Sequence, residues 1–379
     1  MPAYAVLQIK YKEAYVGMRR EHSFFESDAL FAASNSSDGF KSYYDSVFDR
    51  ESLRHLYIIK GGPGTGKSSF MRDVGEYFEG LGRKVAYYRC SSDPDSLDGI
   101  IIDIGIAFID GTAPHSAEPK LIGARDDIID LGRFWDSRIL SERGGEISAL
   151  CREKEAAYAR AYKYLSACGS LLRIIKERAN LALLEDKLRA AVLRIFDNIG
   201  RGTAVESIPA LVEGIGMKGI VRYDSYERAA DHIYEISDVY SSGAFFLLTV
   251  ADMAKRYAQP FRISYEPIVS EYPNALYLTE RKIAFVIKDK RSDRSDGRKN
   301  INMSRFLDMD MLNAQKMRYK SDIQLYQRIL DVACEEFKSV AEYHFELERI
   351  YRDSMDFSSK ERFTVSFCEM LRDTYLAKK

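Results

Sequence analysis

The sequence predicts an α/β fold built as two tandem three-layer domains, residues 1–200 and 201–379, each ending in a long helical segment. Three observations carry this expectation. An apolar strand, a glycine-rich loop and an amphipathic helix follow one another over residues 56–82, the chain resembles itself at a shift of 177 residues, and each half closes on a helical stripe. A length of 379 residues also exceeds what one hydrophobic core usually carries.

The first element is the apolar run LYII at 56–59, a buried-strand pattern, followed by Lys60 and GGPGTGKS at 61–68. Behind it, Phe70, Val74, Tyr77, Phe78 and Leu81 recur at helical spacing, and Gly82 marks a stop. The segment matches G-x-x-x-x-G-K-[ST], a loop whose backbone N–H groups wrap phosphates at a helix N-terminus. Gly61, Gly62, Pro63, Gly64, Thr65, Gly66, Lys67, Ser68 and Ser69 are therefore the expected nucleotide-binding residues. Lys67 is expected against the β- and γ-phosphates, and the Ser68 hydroxyl on Mg2+.

VAYY at 85–88 reads as a second strand and IGIAFI at 104–109 as a third, ending in Asp110, a metal-supporting acid in this setting. The next residue is Gly111, where many ATPases place a water-polarising Glu. CSSDPDSLDG at 90–99 reads as a loop crowding Asp93, Asp95 and Asp98 near the strand ends. One of them is a candidate base, against the alternative of turn and helix-cap chemistry. His115, in the loop after Asp110, is a further candidate near a γ-phosphate.

At the 177-residue shift, HLYII at 55–59 falls on HIYEI at 232–236, and IAFI at 106–109 on IAFV at 283–286. Identities are few, about eight in about 55 positions, but they fall on the strand landmarks. YDSV near Tyr44 answers YDSY near Tyr223, and RFWD at 133–136 answers RFLD at 305–308. The same shift maps Gly66 to Gly243, Lys67 to Ala244, Ser68 to Phe245 and Asp110 to Ile287. The second copy thus lacks the lysine, the hydroxyl and the acid, and Phe245 with Phe246 is expected to fill the phosphate space. The loop at 288–300 carries six basic and three acidic residues and reads as solvated.

The closing helices place Leu150, Ala157, Ala161, Leu165, Cys168, Leu172 and Ile175 on one stripe, and Tyr326, Ile329, Ala333, Phe337, Val340, Leu347 and Ile350 on another. Such stripes suit a seam between halves, a lid over the nucleotide, or an interface with a protein partner or second copy. A net charge of -1, with 56 basic and 57 acidic residues, argues against general nucleic-acid binding. Five scattered cysteines without CxxC spacing encode neither a disulfide framework nor a zinc site. With no apolar run of membrane-spanning length and charge within the N-terminal stretch, a cytoplasmic setting is expected.

GFKSYYDSV, IKGGPGTGKSSFM, CSSDPDSLDG and IDGTAPH, with the helical segment opening at Trp135, together resemble the uncharacterised bacterial P-loop ATPases built as a tandem duplication of P-loop NTPase halves. The resemblance implies ATP and Mg2+ binding at 61–69 and leaves the substrate open; members often keep a second phosphate loop, which this chain lacks at Ala244. The expected function is a Mg2+-dependent ATPase with one active site in the first half and an inactive second copy. A small-molecule or nucleoside kinase, or a nucleotide-gated module with little hydrolysis, are the alternatives. ATP is preferred to GTP because no N/T-K-x-D motif follows the loop.

Overall fold

The computed structural model describes residues 26–113, 117–288 and 298–376. The first half runs β1 (Ser27–Phe31), β2 (Ala33–Ser36), β3 (Gly39–Ser42), α1 (Tyr44–Val47), β4 (His55–Lys60), α2 (Lys67–Gly80), β5 (Val85–Arg89), β6 (Leu97–Ile102), β7 (Ile106–Asp110), β8 (Asp126–Asp130), α3 (Ser137–Glu142), α4 (Gly144–Leu181) and α5 (Glu185–Ile199). The second repeats this series: β9 (Ser207–Pro209), β10 (Glu213–Gly216), β11 (Gly219–Arg222), α6 (Ser225–Ala229), β12 (His232–Ser237), α7 (Gly243–Arg256), β13 (Phe261–Tyr265), β14 (Pro273–Leu278), β15 (Ile283–Ile287), β16 (Lys299–Asn302), α8 (Met309–Ala314), α9 (Lys316–Asp353) and α10 (Phe357–Tyr375).

Both six-stranded sheets have one order, β1-β5-β6-β7-β4-β8 and β9-β13-β14-β15-β12-β16. They are parallel except at β6 and β14, each antiparallel to both neighbours. Residues 90–99, which read as a loop in the sequence, are only partly one. Strand β6 begins at Leu97, so Asp98 is a strand residue and the next strand starts at Ile106, after the turn at Gly105.

The repeat offset drifts. It is 177 at β4/β12 and β7/β15 but 176 at α2/α7, where the buried Phe70, Met71, Val74 and Phe78 answer Phe246, Leu247, Val250 and Ala254. The counterpart of Lys67 is therefore Gly243, not Ala244, and that of Ser68 is Ala244, not Phe245: the second loop is one residue shorter. Phe246 consequently enters the helix–sheet core, with Phe306 at 6.1 Å, instead of the phosphate space.

Each sheet carries helices on one face. Its other face meets the opposite sheet in a shared core, where Leu56, Ile58, Tyr88 and Ile109 pack with Val212, Tyr226, Tyr277 and Val286. The third layer of each unit is thus the other unit, with α1 and α6 wedged between them.

Helices α4 and α9, each 38 residues and about 57 Å long, pack along most of their length. They run antiparallel: Arg143 meets Asp353, Arg160 meets Glu336 and Arg178 meets Asp322. Their buried stripes, including Ala161, Leu165 and Cys168 against Ala333 and Phe337, pack on each other as a seam between the halves, one of the three arrangements that the periodicity leaves open.

These long helices also exchange the chain ends. Helix α5 lays Leu188, Val192 and Phe196 against α7 of the second unit, while α10 places Cys368 and Leu371 in the core of α2 and the first sheet. A boundary at residue 200 therefore divides the chain but not the cores. Crossing bonds fix the exchange: Asp136 N–H donates to Ser354 at 2.8 Å, and its counterpart Asp308 N–H donates to Ala182 at 2.8 Å. Among the described residues no helix is long and apolar enough to cross a membrane.

Candidate functional site

Strand β4 is buried on both faces and delivers the chain to the 61–69 loop at the carboxyl edge of the first sheet. The loop turns into α2, whose first residue is Lys67. Gly64 shows why the loop needs glycine: its φ is +71°, and a Cβ there would stand 2.4 Å from the carbonyl oxygen of Glu348 in α9. Thr65 is fully buried and donates to the Gly62 carbonyl at 2.8 Å, tightening the turn.

Lys67 Nζ donates to the carbonyls of Gly61 and Gly62, both at 2.9 Å, and stands 3.7 Å from Asp110 at the end of β7. Asp110 accepts from the Thr112 N–H at 2.8 Å and its hydroxyl at 2.6 Å. Burial nevertheless pushes the Asp110 carboxyl above its ordinary value, against the pull of Lys67, and Asp98 adds to the rise. Ser68 Oγ accepts from Leu97 N–H at 3.0 Å, which ties the start of α2 to β6. Ser69 Oγ donates to Gly66 and accepts from Lys360 of α10 at 2.8 Å.

The three candidate aspartates separate. Asp93 is a turn residue, accepting from the Asp95 N–H at 3.3 Å and the Ser96 hydroxyl at 2.7 Å. Asp95 projects outward and pairs with Lys218 of the second half. Asp98, 2% exposed, stands beside Cys90 and Tyr44, and its charge also reaches Asp110. His115 and residues 289–297 of the basic loop lie outside the described residues. Lys60 holds the flanks of the His115 loop, donating to Gly111 at 2.8 Å and to Ala117 and Glu118 at 2.9 Å.

Lys67, Ser68, Ser69, Asp93, Asp98 and Asp110 line a cavity of about 790 Å3, within the range of small-ligand sites. Its roof is the α4–α9 pair, which brings Lys154, Glu155, Tyr158 and Tyr162 from one helix and His344, Glu348 and Arg352 from the other. Met217, from the β10–β11 hairpin, completes the wall. His344 approaches Glu348 at 3.5 Å and holds its carboxyl below the usual range. Burial, with Lys67 nearby, lowers Lys154. None of the roof residues was singled out from the sequence, yet a signal existed. Lys154 interrupts the apolar stripe between Leu150 and Ala157, as His344 does between Val340 and Leu347.

The second unit fills the corresponding place with its own atoms. Asp238 Oδ1 accepts from Gly243 N–H at 2.7 Å, putting an internal carboxylate at the N-terminus of α7. Lys176 lies beside it, donating to Ser241 at 3.4 Å, 3.7 Å from Glu266 and over the ring of Tyr272.

Comparison with protein-family models, curated proteins and solved structures finds no match to this chain. Among the described residues no group of three His, Cys, Asp or Glu side chains is arranged to hold a metal ion.

Proposed function

We propose that the protein binds ATP with Mg2+ at the 61–69 loop and hydrolyses it slowly. The observation that carries this reading is the placement of Lys67 at the first turn of α2, 3.7 Å from Asp110, inside a roofed cavity of about 790 Å3. The residues suit the group. Mg2+ bound between phosphate oxygens needs few protein ligands and keeps several waters, so the lack of a three-residue metal cluster is no obstacle. When bound, Mg2+ would neutralise charge on the β- and γ-phosphates.

The chain's own residues supply the rest. The N–H groups opening α2 bind phosphate oxygens, and Lys67 exchanges its two carbonyl partners for the anion. Ser68 would hold the metal through its hydroxyl, and Asp110 would support it from the end of β7. Asp98, buried beside Asp110, is the carboxylate that orients the attacking water; Asp93 and Asp95 serve the turn. With Gly111 in place of a water-polarising Glu, turnover is slow. The roof partly screens the site from water, which strengthens these interactions.

The cavity also continues to Asn35, Tyr162 and Met217, beyond the phosphate position. This favours, as a second reading, transfer of the phosphoryl group to an acceptor seated there. Titration of the protein with a non-hydrolysable ATP analogue, with and without Mg2+, tests the shared core of both readings: saturable binding strengthened by Mg2+ supports them, and no saturable binding ends them.

A further inference from the structure

The duplication supplies an internal control for the roof. At the 172-residue offset of the long helices, Lys154, His344, Arg352 and Lys360 correspond to Tyr326, Leu172, Asn180 and Leu188. Three basic residues of the roof, with Lys360 of α10, thus stand around the loop that keeps its lysine. Their counterparts at the loop closed by Asp238 are neutral, and the one cation there, Lys176, stands at the position of Glu348 and is held by Ser241 and Glu266.

Of these cations, three are engaged. His344 and Arg352 approach Glu348 at 3.5 and 3.7 Å. Lys360 donates to Ser69 and lies 3.7 Å from Asp73. Lys154 differs: it is half-buried, lines the cavity, and has no carboxylate within ion-pair distance among the described residues. Lys67 lines the same cavity and acts on Lys154 as a like charge, with Glu155, the next residue, acting as an opposite one. Two ammonium groups lining one cavity repel each other until an anion lies between them.

We infer that Lys154 is the second cation of the nucleotide site, contacting the terminal phosphate of ATP from α4, opposite Lys67. This rests on the nucleotide reading above and deepens it. The contact makes the roof sensitive to the γ-phosphate: ADP, bound through the loop, leaves Lys154 without its anion. A cation supplied from outside the phosphate loop also stabilises charge that develops during transfer.

The test measures affinity for a non-hydrolysable Mg2+-ATP analogue and for Mg2+-ADP in wild type, Lys154→Met, Lys154→Arg and Lys67→Ala, with melting temperatures of each. Losing one charge-assisted contact in Lys154→Met is expected to weaken the analogue about tenfold or more and leave ADP unchanged, with Lys154→Arg restoring most of the difference. Equal effects on both nucleotides, or none, would overturn the inference. The Lys67→Ala variant separates the two levels. Binding lost there while Lys154→Met binds both nucleotides as wild type does, or loses both equally, refutes only the role of Lys154. Binding unchanged in Lys67→Ala refutes the nucleotide reading and this inference with it.

Discussion

The backbone N–H of Phe31 donates to the carbonyl of Leu211 at 2.8 Å, and the N–H of Leu211 returns a bond to Phe31 at 3.0 Å. The two residues are counterparts at the 180-residue offset of the β2–β3 and β10–β11 hairpins, so this reciprocal pair marks the axis relating the two halves. Around it each half reaches into the other. Met217 N–H donates to Ser92 at 2.8 Å, and its counterpart Ser37 N–H donates to Ile268 at 3.0 Å. The candidate site is in this sense a product of both halves, although only one contributes a loop with a lysine.

The exchanged helices give the first prediction. Leu371 is fully buried against α2, far along the chain from it. Leu371→Ala should cost about 2–5 kcal/mol and speed hydrogen exchange in α2, whereas Phe196→Ala should open α7. Exchange confined to α9, the sequence neighbour of Leu371, would contradict the exchange of ends.

A second concerns the loop backbone. Gly64→Ala meets both a positive φ and the Glu348 carbonyl at 2.4 Å, while Gly82→Ala meets a φ of +75° with open space around it. The Gly82 variant should lose about 1–2 kcal/mol; the Gly64 variant should lose more and also lose nucleotide affinity. Chemical denaturation of both variants, with analogue titrations, checks the contrast.

The aspartates should divide by role. Asp93→Ala should lower stability by about 1–2 kcal/mol through its turn, and Asp95→Asn should change neither stability nor turnover. Asp98→Asn should reduce turnover with a native melting temperature, and Asp110→Asn should weaken Mg2+ dependence. Unchanged Mg2+ dependence in the last variant would remove Asp110 from its assigned place.

A pH dependence follows from the closed second site. Burial raises the Glu266 carboxyl from 4.5 to about 7, despite Lys176. A raised folded pKa means the folded state holds the proton more tightly, so this contribution is present below pH 4.5 and is lost as pH rises through 7. Glu266→Gln should therefore gain on the order of 3 kcal/mol at most over wild type at pH 8, and nothing at pH 4.5. Melting curves at the two pH values decide it.

Local pattern carried the strand, loop and helix of 56–82 and both long stripes into view, because periodicity and glycine placement are written in neighbouring residues. Strand β6 was hidden: the DPDS turn before it reads as loop, and Gly99 within it weakens the strand pattern while leaving room for the Phe48 ring. The exchange of α5 and α10 was hidden for a different reason. Leu188 and Leu371 say that a face is apolar, not which sheet it covers. Likewise the missing residue in the second loop shows only once Phe246 is seen in the place of Phe70. The roof residues Lys154 and His344 were visible as charges on apolar stripes, but their meaning depended on which helix crossed the loop.

The most direct test of the central claim is steady-state phosphate release from Mg2+-ATP by wild type and Lys67→Ala, with analogue binding measured on the same samples. Slow turnover and saturable binding are expected in wild type, both lost in Lys67→Ala with the fold intact. Turnover and binding equal in the two proteins would contradict the claim.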